Sequence, residues 1–510
     1  MRKTQHGAPR PPGVAAAMTA LVLAVLLAAL DQTIVSTALP RIAEDLNGFD
    51  DIAWVSAAYL LASTAVTPLW GKLGDMFGRK RLYLASTGIF LVASVACGFA
   101  QNLPELIGAR VLQGIGGGGM IVLTFALVGD IVSPGERGRY QGMFGSVYGV
   151  ASIVGPLLGG IFTDQLSWRW AFLINLPVGA LALVIAARVL PGGVRNAAAA
   201  RIDQLGSLVL AAVATGLVLI TSFGGRWGWS SPSIIGLMIA TFALAALLIP
   251  VERRAAAPVL PLTMLTSRTV VLSSLIGFVA NAAMFSVLVY LPTYLQIVDG
   301  VSATFSGVHM LPLVVGLVIS QSLAGRWSAH PERLRPILIV GLLLNIAGLL
   351  LLATIGARTG TAVLSVYFLV TGVGIGMVPM VVLTAVQNSV PSADLGAASA
   401  VVTFARSIGA AFGVAVFGAL LTGGFARRLE GAGIDGTFDP SRPDAIAQLP
   451  SAVRDTALDA FAHATATGFL WVTPPVVAGA VLALFLKPAA ARTAAAKAAH
   501  HDAGEHAAAV

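Results

Sequence analysis

Two residues of opposite charge stand where charge is costly. Asp31 is the one ionisable residue between Val14 and Leu39, and Arg110 lies about six residues, or about 9 Å of helix, inside the apolar stretch Leu103–Ile131. Counted back from Pro40, Asp31 lies about 13 Å from its own end, a similar depth. Ionisable groups at such depth face a partner or a wet cavity, and they are functional candidates by default. A carboxylate beside a guanidinium stays an ion pair and takes up a proton only when the pair opens or its surroundings dry out. That is what proton coupling requires, so Asp31 and Arg110 are read as partners sharing one cavity. A salt bridge that merely locks two helices would use the same residues.

The second chemical cluster is Gly71-Lys-Leu-Gly-Asp-Met-Phe-Gly-Arg-Lys-Arg81, between two apolar runs. Lys72, Arg79, Lys80 and Arg81 oppose the single anion Asp75, and a short loop this basic is retained on the cytoplasmic side of a membrane. Gly71, Gly74 and Gly78 are read as permitting a tight reversal and close backbone approach. A third group is Gly145-Ser-Val-Tyr-Gly149 followed by Gly155-Pro156-Leu-Leu-Gly159-Gly160. Small residues four apart make a flat stripe for a neighbouring helix, and Pro156 removes one backbone bond, which suits a helix that pivots. Simple tight packing would use the same stripe. The run Gly114-Ile-Gly-Gly-Gly-Gly119 satisfies G-x-G-x-x-G, but no strand precedes it, so a dinucleotide site is not expected.

The elements that must position these groups are membrane spans. The 510 residues are 57% hydrophobic and 11% charged, against about a quarter charged in ordinary soluble domains. Apolar runs of about 20 residues recur along the whole length and predict an all-α membrane protein of about fourteen spans. The net charge of +8 could suggest nucleic acid, but the cations are dispersed through short loops without interleaved aromatics, so no nucleic-acid partner is expected. Arg2, Lys3 and Arg10 precede the first run, and Glu44, Asp45, Asp50 and Asp51 follow it, which predicts both termini in the cytoplasm. That first run is too long for a cleaved signal. Cys97 is the single cysteine, which excludes an intrachain disulfide. The segment 425–460 is expected to be a loop carrying a short amphipathic helix near Ser451–Phe461. The tail with His500, His501 and His506 is read as a disordered end rather than a metal site.

Several stretches carry a family resemblance. G-x-L-x-D-x-x-G-R-[KR]-[KR] at Gly71–Arg81 resembles the loop between spans two and three of major facilitator superfamily transporters. Gly145–Gly160 resembles the fifth-span signature of the drug:proton antiporters in that superfamily. Leu30-Asp-Gln-Thr-Ile-Val-Ser-Thr-Ala-Leu-Pro40 resembles the first-span signature of the fourteen-span antiporters of EmrB/QacA type. Trp54–Leu60, Ser167–Gly179, Tyr290–Gln296 and Arg406–Gly409 agree, while His309 departs from the pattern. The resemblance implies a major facilitator fold of two pseudo-symmetric six-helix bundles, 14–190 and 268–487. Two inserted spans lie within 191–267, and cytoplasmic tails occupy 1–13 and 488–510. It also implies that Asp75 docks near Leu395–Ala397, where a carboxylate at a helix N-terminus is favoured by about 0.3–1 kcal/mol.

The function so implied is a proton-coupled exporter of lipophilic drugs or related amphipathic molecules in the plasma membrane. A dedicated natural-product exporter, a metabolite importer and, more remotely, a non-transporting receptor are the rivals. No G-x-x-x-x-G-K-[ST] occurs, so the energy is expected from a proton gradient, with no cofactor, no metal and no enzymatic activity. The expected partners are protons, the lipid bilayer and a small lipophilic substrate. Tyr59, Gln113, Tyr290, Tyr294 and Arg406 are candidates for the substrate cavity, and Trp54 and the tyrosines could offer faces to a cation. One acid among apolar faces suits a lipophilic monocation or a neutral drug. Arg406, about 15 Å into its span, makes carboxylated cargo plausible if it faces the cavity and says nothing about cargo if it pairs elsewhere.

Overall fold

The computed structural model describes residues 14–46, 52–132, 134–191, 203–228, 231–255, 258, 264, 266–301, 303–328, 330–391, 394–431 and 451–486. Among them the chain is helical throughout. In order come α1 (Val14–Asp45), α2 (Ala53–Phe77), α3 (Arg79–Phe99), α4 (Leu103–Ile131), α5 (Pro134–Gln165), a short α6 (Trp170–Leu173) and α7 (Asn175–Val189). Then follow α8 (Gln204–Trp227), α9 (Pro232–Arg254), α10 (Arg268–Val298), α11 (Ala303–His309) and α12 (Leu311–Trp327). The last are α13 (Leu334–Leu352), α14 (Thr361–Gln387), α15 (Leu395–Gly431) and α16 (Ser451–Leu484).

Ten of these segments, α6 and α7 counted together, are long and apolar enough to cross a membrane, fewer than the expected fourteen. Two of the others, α8 and α12, are apolar but short, at Leu205–Ile220 and Leu311–Trp327. Polar faces and glycine dilute α2 and α5: α2 turns Ser56, Ser63, Thr64 and Thr67 to an internal cavity, and α5 carries the glycine stripe.

Helix starts follow local chemistry. At α4 the Asn102 side chain accepts from Glu105 N (3.0 Å) while Glu105 Oε2 accepts from Gln101 N (2.9 Å), a reciprocal cap. Asp203 and Ser231 cap α8 and α9 in the same sense. The reversal after α2 is tighter than a loop. Gly78 alone, at φ 96°, turns the chain into α3, so the expected basic loop is mostly helix and only one of its three glycines makes the turn.

Helix pairing repeats between the halves. α1 packs on α5 and α7, α2 on α4, and α3 on α4 and α7; α10 packs on α15 and α16, α12 on α14, and α13 on α14 and α16. The halves meet through the reciprocal pairs α5 with α12 and α2 with α15, as a two-fold rotation requires. α8 pairs with α9 and lies against both α2 and α15, on one side of that seam.

The G-x-G-x-x-G run is part of this symmetry. A Cβ at Gly114 would lie 2.9 Å from the Cβ of Ala62 on α2, and one at Gly116 would lie 2.5 Å from Phe90 N on α3. On α14, Gly372 and Gly376 meet Leu313 and Leu317 of α12, and Gly374 meets Asn345 of α13. Glycines at i, i+2 and i+4 therefore let the central helix of each half touch two backbones at once.

Beyond the spans, α15 runs on to Gly431 and α16 begins at Ser451, so the expected short helix near Ser451–Phe461 is the start of one 34-residue helix. His309 closes α11, ahead of the break at Met310, and its Nδ1 is buried without a partner. At the same end Asp45 accepts from Trp168 Nε1 (2.9 Å) and Arg169 Nη1 (3.1 Å). The Trp168 bond, with help from Arg169, holds the Asp45 carboxyl below the usual carboxylate range. The proposed tails and most of the segment 425–460 lie outside the described residues.

Candidate functional site

A cavity of about 1380 Å³ lies between the halves, walled by α1, α2, α4, α5, α10, α12, α14 and α15. Its wall reaches Ser36, Ser56 and Thr422, all exposed, at the end opposite Asp75. At the Asp75 end it stops at Phe125, Gln321 and Met380, all buried. The cavity is therefore open at one end and closed at the other.

The ion pair expected from the sequence is formed in its wall. Arg110 Nη1 donates to Asp31 Oδ2 at 2.6 Å, with side-chain exposures of 2% and 0%. The carboxylate has further donors: Gln113 Nε2 (2.7 Å) and Asn175 Nδ2 (2.9 Å) donate to Asp31 Oδ1. Ser94 Oγ accepts from both amides at 2.9 and 3.3 Å. Arg110 also donates to Val55 O (2.9 Å) and Gln113 Oε1 (2.6 Å), and its guanidinium lies 4.3 Å over the Tyr59 ring. Four helices, α1, α3, α4 and α7, thus converge on one carboxylate. Added hydrogen bonds of this kind offset the cost of burying the two charges. Arg110 and Tyr59 touch the cavity, while Asp31 lies one layer behind them.

At the closed end, Asp75 spans the two halves. Its carboxylate accepts from Gly396 N (3.2 Å) and Ala397 N (3.0 Å) in the first turn of α15. Arg79 holds the same carboxylate through Nε (3.0 Å) and Nη2 (2.5 Å), and pairs also with Asp130. A Cβ at Gly71 would lie 2.7 Å from Gly396 O, so that glycine sets how closely α2 and α15 approach. A second tie crosses here: Arg137 donates to Gln387 O (3.0 Å) and Gly129 O (2.8 Å), and Gln387 Nε2 donates to Phe125 O (3.0 Å). Lys80 Nζ reaches Leu190 O (2.6 Å), and Arg81 is exposed. Asp75→Ala removes two charge-assisted bonds worth about 1.5–3 kcal/mol each. Amide exchange at Gly396 and Ala397 is expected to rise roughly ten- to a hundredfold, read by hydrogen–deuterium exchange. Unchanged protection would show that Asp75 does not hold this end.

The α5 stripe serves two neighbours. A Cβ at Gly155 would lie 2.5 Å from Thr33 Cβ, and one at Gly159 2.9 Å from Thr37 Cβ, both on α1. Gly142, Gly145 and Gly149 face Gln321, Gly325 and Val318 of α12 instead. The helix continues through Pro156. Gly160 meets nothing within 4 Å. Gly155→Ala is therefore expected to lower thermal stability by about 1–3 kcal/mol through overpacking. Gly160→Ala should be neutral or stabilising. Equal melting temperatures for the two variants would remove the packing argument.

Of the cavity candidates, Tyr59, Tyr290 and Arg406 line it. Tyr290 stacks on Phe417 with centroids 4.6 Å apart and donates to Val414 O (2.9 Å). Tyr294 does not line it: the ring is buried and its hydroxyl donates to Gly356 O (2.9 Å). Gln113 serves the Asp31 cluster rather than the wall. Trp54 packs against Phe223 of α8, the rings tilted by 33° with centroids 4.4 Å apart. In the sequence only a weak signal, a lone amide or hydroxyl in an apolar run, points to Asn175 as an Asp31 partner and to Ser94 as the acceptor behind the two amides.

A two-fold helical bundle around a cavity closed at one end, with a buried ion pair beside it, defines a membrane transporter. The family model of the Major Facilitator Superfamily matches residues 21–414, and the chain belongs to that superfamily. It is 35% identical to the multidrug transporter protein MdtP of Bacillus subtilis, over 92% of each chain. It is 40% identical to an uncharacterized MFS-type transporter of Mycobacterium tuberculosis, over 92% of this chain and 69% of the relative. The efflux pump dotC of Dothistroma septosporum is 34% identical over 91% of this chain and 83% of its own length. Among solved structures, the human organic anion transporter MFSD10 (TETRAN) superposes with a TM-score of 0.61 at 16% identity, covering 91% of this chain and all of that one, which speaks to fold alone.

Proposed function

We propose that this chain is a proton-coupled antiporter that exports lipophilic or amphipathic small molecules by alternating access. The observation that carries the reading is the buried Asp31–Arg110 pair beside a cavity closed only at the Asp75 end. Protonation of Asp31 releases Arg110, loosens the four helices gathered on it, and lets the halves rock about α5 and α12. The Asp75 latch to α15 then opens as the far end closes. Relatives named as multidrug transporter and efflux pump support export as the direction.

In the same reading α2, α5, α8 and α12 cross the membrane beside the ten more apolar segments, giving the fourteen spans of the EmrB/QacA type. Residues 14–190 and 268–487 are the two bundles, and 191–267 carries the inserted pair α8–α9. The Asp75 end faces the cytoplasm with both termini, in the plasma membrane, as the basic loops support. The test is dye efflux from inverted vesicles under an imposed pH gradient, with a panel of cationic, neutral and anionic lipophilic dyes, ethidium among them. Movement that follows the pH gradient and stops when it collapses is expected. Gradient-independent movement, or none across the panel, overturns the reading.

A further inference from the structure

We propose that the cavity's cargo carries an acidic headgroup, a carboxylate or its like, seated on Arg406, with an apolar body packed along the α10 and α15 wall. The inference rests on the efflux reading and adds the chemical class of the substrate.

The first ground is charge. Among the described residues the cavity wall holds two arginines, Arg110 and Arg406, and no aspartate or glutamate. Arg110 is neutralised by Asp31. Arg406 has no ion pair and no hydrogen bond to any described residue, and its Nε is buried without a partner. Its stem rests against α10 at Gly277, where an added Cβ would lie 3.0 Å from Arg406 Cγ. The glycine therefore makes the room that lets the guanidinium reach the cavity. An uncompensated guanidinium at such depth is costly unless something negative visits it.

The second ground is a set of other unsatisfied groups. Thr64 Oγ1 and Thr403 Oγ1, both on residues that line the cavity, are buried with no hydrogen-bond partner. Native interiors leave few such groups unpaired. Thr403, one turn before Arg406 on α15, offers a hydroxyl that can donate to an anion, and the guanidinium is a planar fork that binds carboxylate in two bonds. On the α10 and α15 side, Met284, Phe285, Val289, Tyr290 and Ala415 form an apolar and aromatic patch, interrupted by Asn281, Thr293 and Ser407. A cationic pole facing an apolar slope fits an amphipathic acid and repels a lipophilic cation.

The experiment uses three probes on one pyrene body: the carboxylate, the carboxamide and the trimethylammonium. Binding to the full chain in nanodiscs is read by pyrene fluorescence. The carboxylate is expected to bind at least about tenfold more tightly than either other probe. Arg406→Gln should erase that preference, bringing the carboxylate down to the carboxamide's affinity, and Arg406→Lys, which keeps the charge without the fork, should leave an intermediate one. A carboxylate that binds no better than the carboxamide to the wild-type chain overturns the proposal, as does a preference that survives Arg406→Gln. Should that variant fail to fold, an undiminished preference in Arg406→Lys overturns the bidentate seat. The same probes in the inverted-vesicle assay separate the two claims. Export of the carboxamide with rejection of the carboxylate sinks the anion site and leaves efflux standing. Carboxylate binding without export of any probe sinks efflux and leaves the site.

Discussion

Asp31→Asn is expected to abolish pH-gradient-driven efflux, by on the order of a hundredfold or more, while leaving a folded protein that still equilibrates substrate. The substitution is nearly isosteric. Its carbonyl oxygen can still accept from Arg110 Nη1, Gln113 Nε2 or Asn175 Nδ2, the donors that hold Asp31 now. What it cannot do is gain and lose a proton. Arg110 keeps Val55 O, Gln113 Oε1 and the Tyr59 face, so the remaining cation is not stripped bare. The signature is a split: substrate counterflow without a pH gradient persists, and uphill movement driven by the gradient disappears. Wild-type uphill transport in the variant would mean that the pair is only a clamp between helices. Loss of counterflow and uphill movement together, with a lowered melting temperature, would assign Asp31 a structural role.

The parts of this arrangement that were legible in the sequence are those that are expensive. A carboxylate and a guanidinium cannot be left alone in an apolar span, so Asp31 and Arg110 announced each other, and the structure pairs them at 2.6 Å. Asp75 among four cations was equally visible, and it does meet the first turn of α15. Uncharged polar residues cost less and so stand out less. Asn175 and Ser94 complete the Asp31 shell, yet an amide and a hydroxyl in a helix are ordinary. Facing was not legible either. Tyr290 and Tyr294, one turn apart, were equal candidates, and only the packing of α10 puts one on the cavity and the other on Gly356. The glycine run on α4 packs against α2 and α3. Its use, together with its counterpart on α14, depends on contacts between helices distant in sequence. The span count fell short of expectation because polar residues and glycine dilute α2 and α5, while α8 and α12 are apolar over too short a stretch.

Arg110→Met tests the same pair from the other side. The methionine fills much of the arginine's stem volume but leaves the Asp31 carboxylate 0% exposed, with only the Gln113 and Asn175 amides as donors. Removing one partner of a buried pair costs about 3–5 kcal/mol, because an uncompensated charge stays behind. Replacing both partners by uncharged groups leaves no such charge. The double variant Asp31→Asn with Arg110→Met is therefore expected to be more stable than Arg110→Met alone, and its loss should be smaller than the sum of the two single losses. Thermal unfolding of the four proteins in one detergent closes the cycle. Additive losses would show that the two side chains touch without sharing energy, and the coupling assigned to them would have to be sought elsewhere in the cavity wall. A large interaction energy together with lost transport in all three variants would place the pair at the centre of the transport cycle.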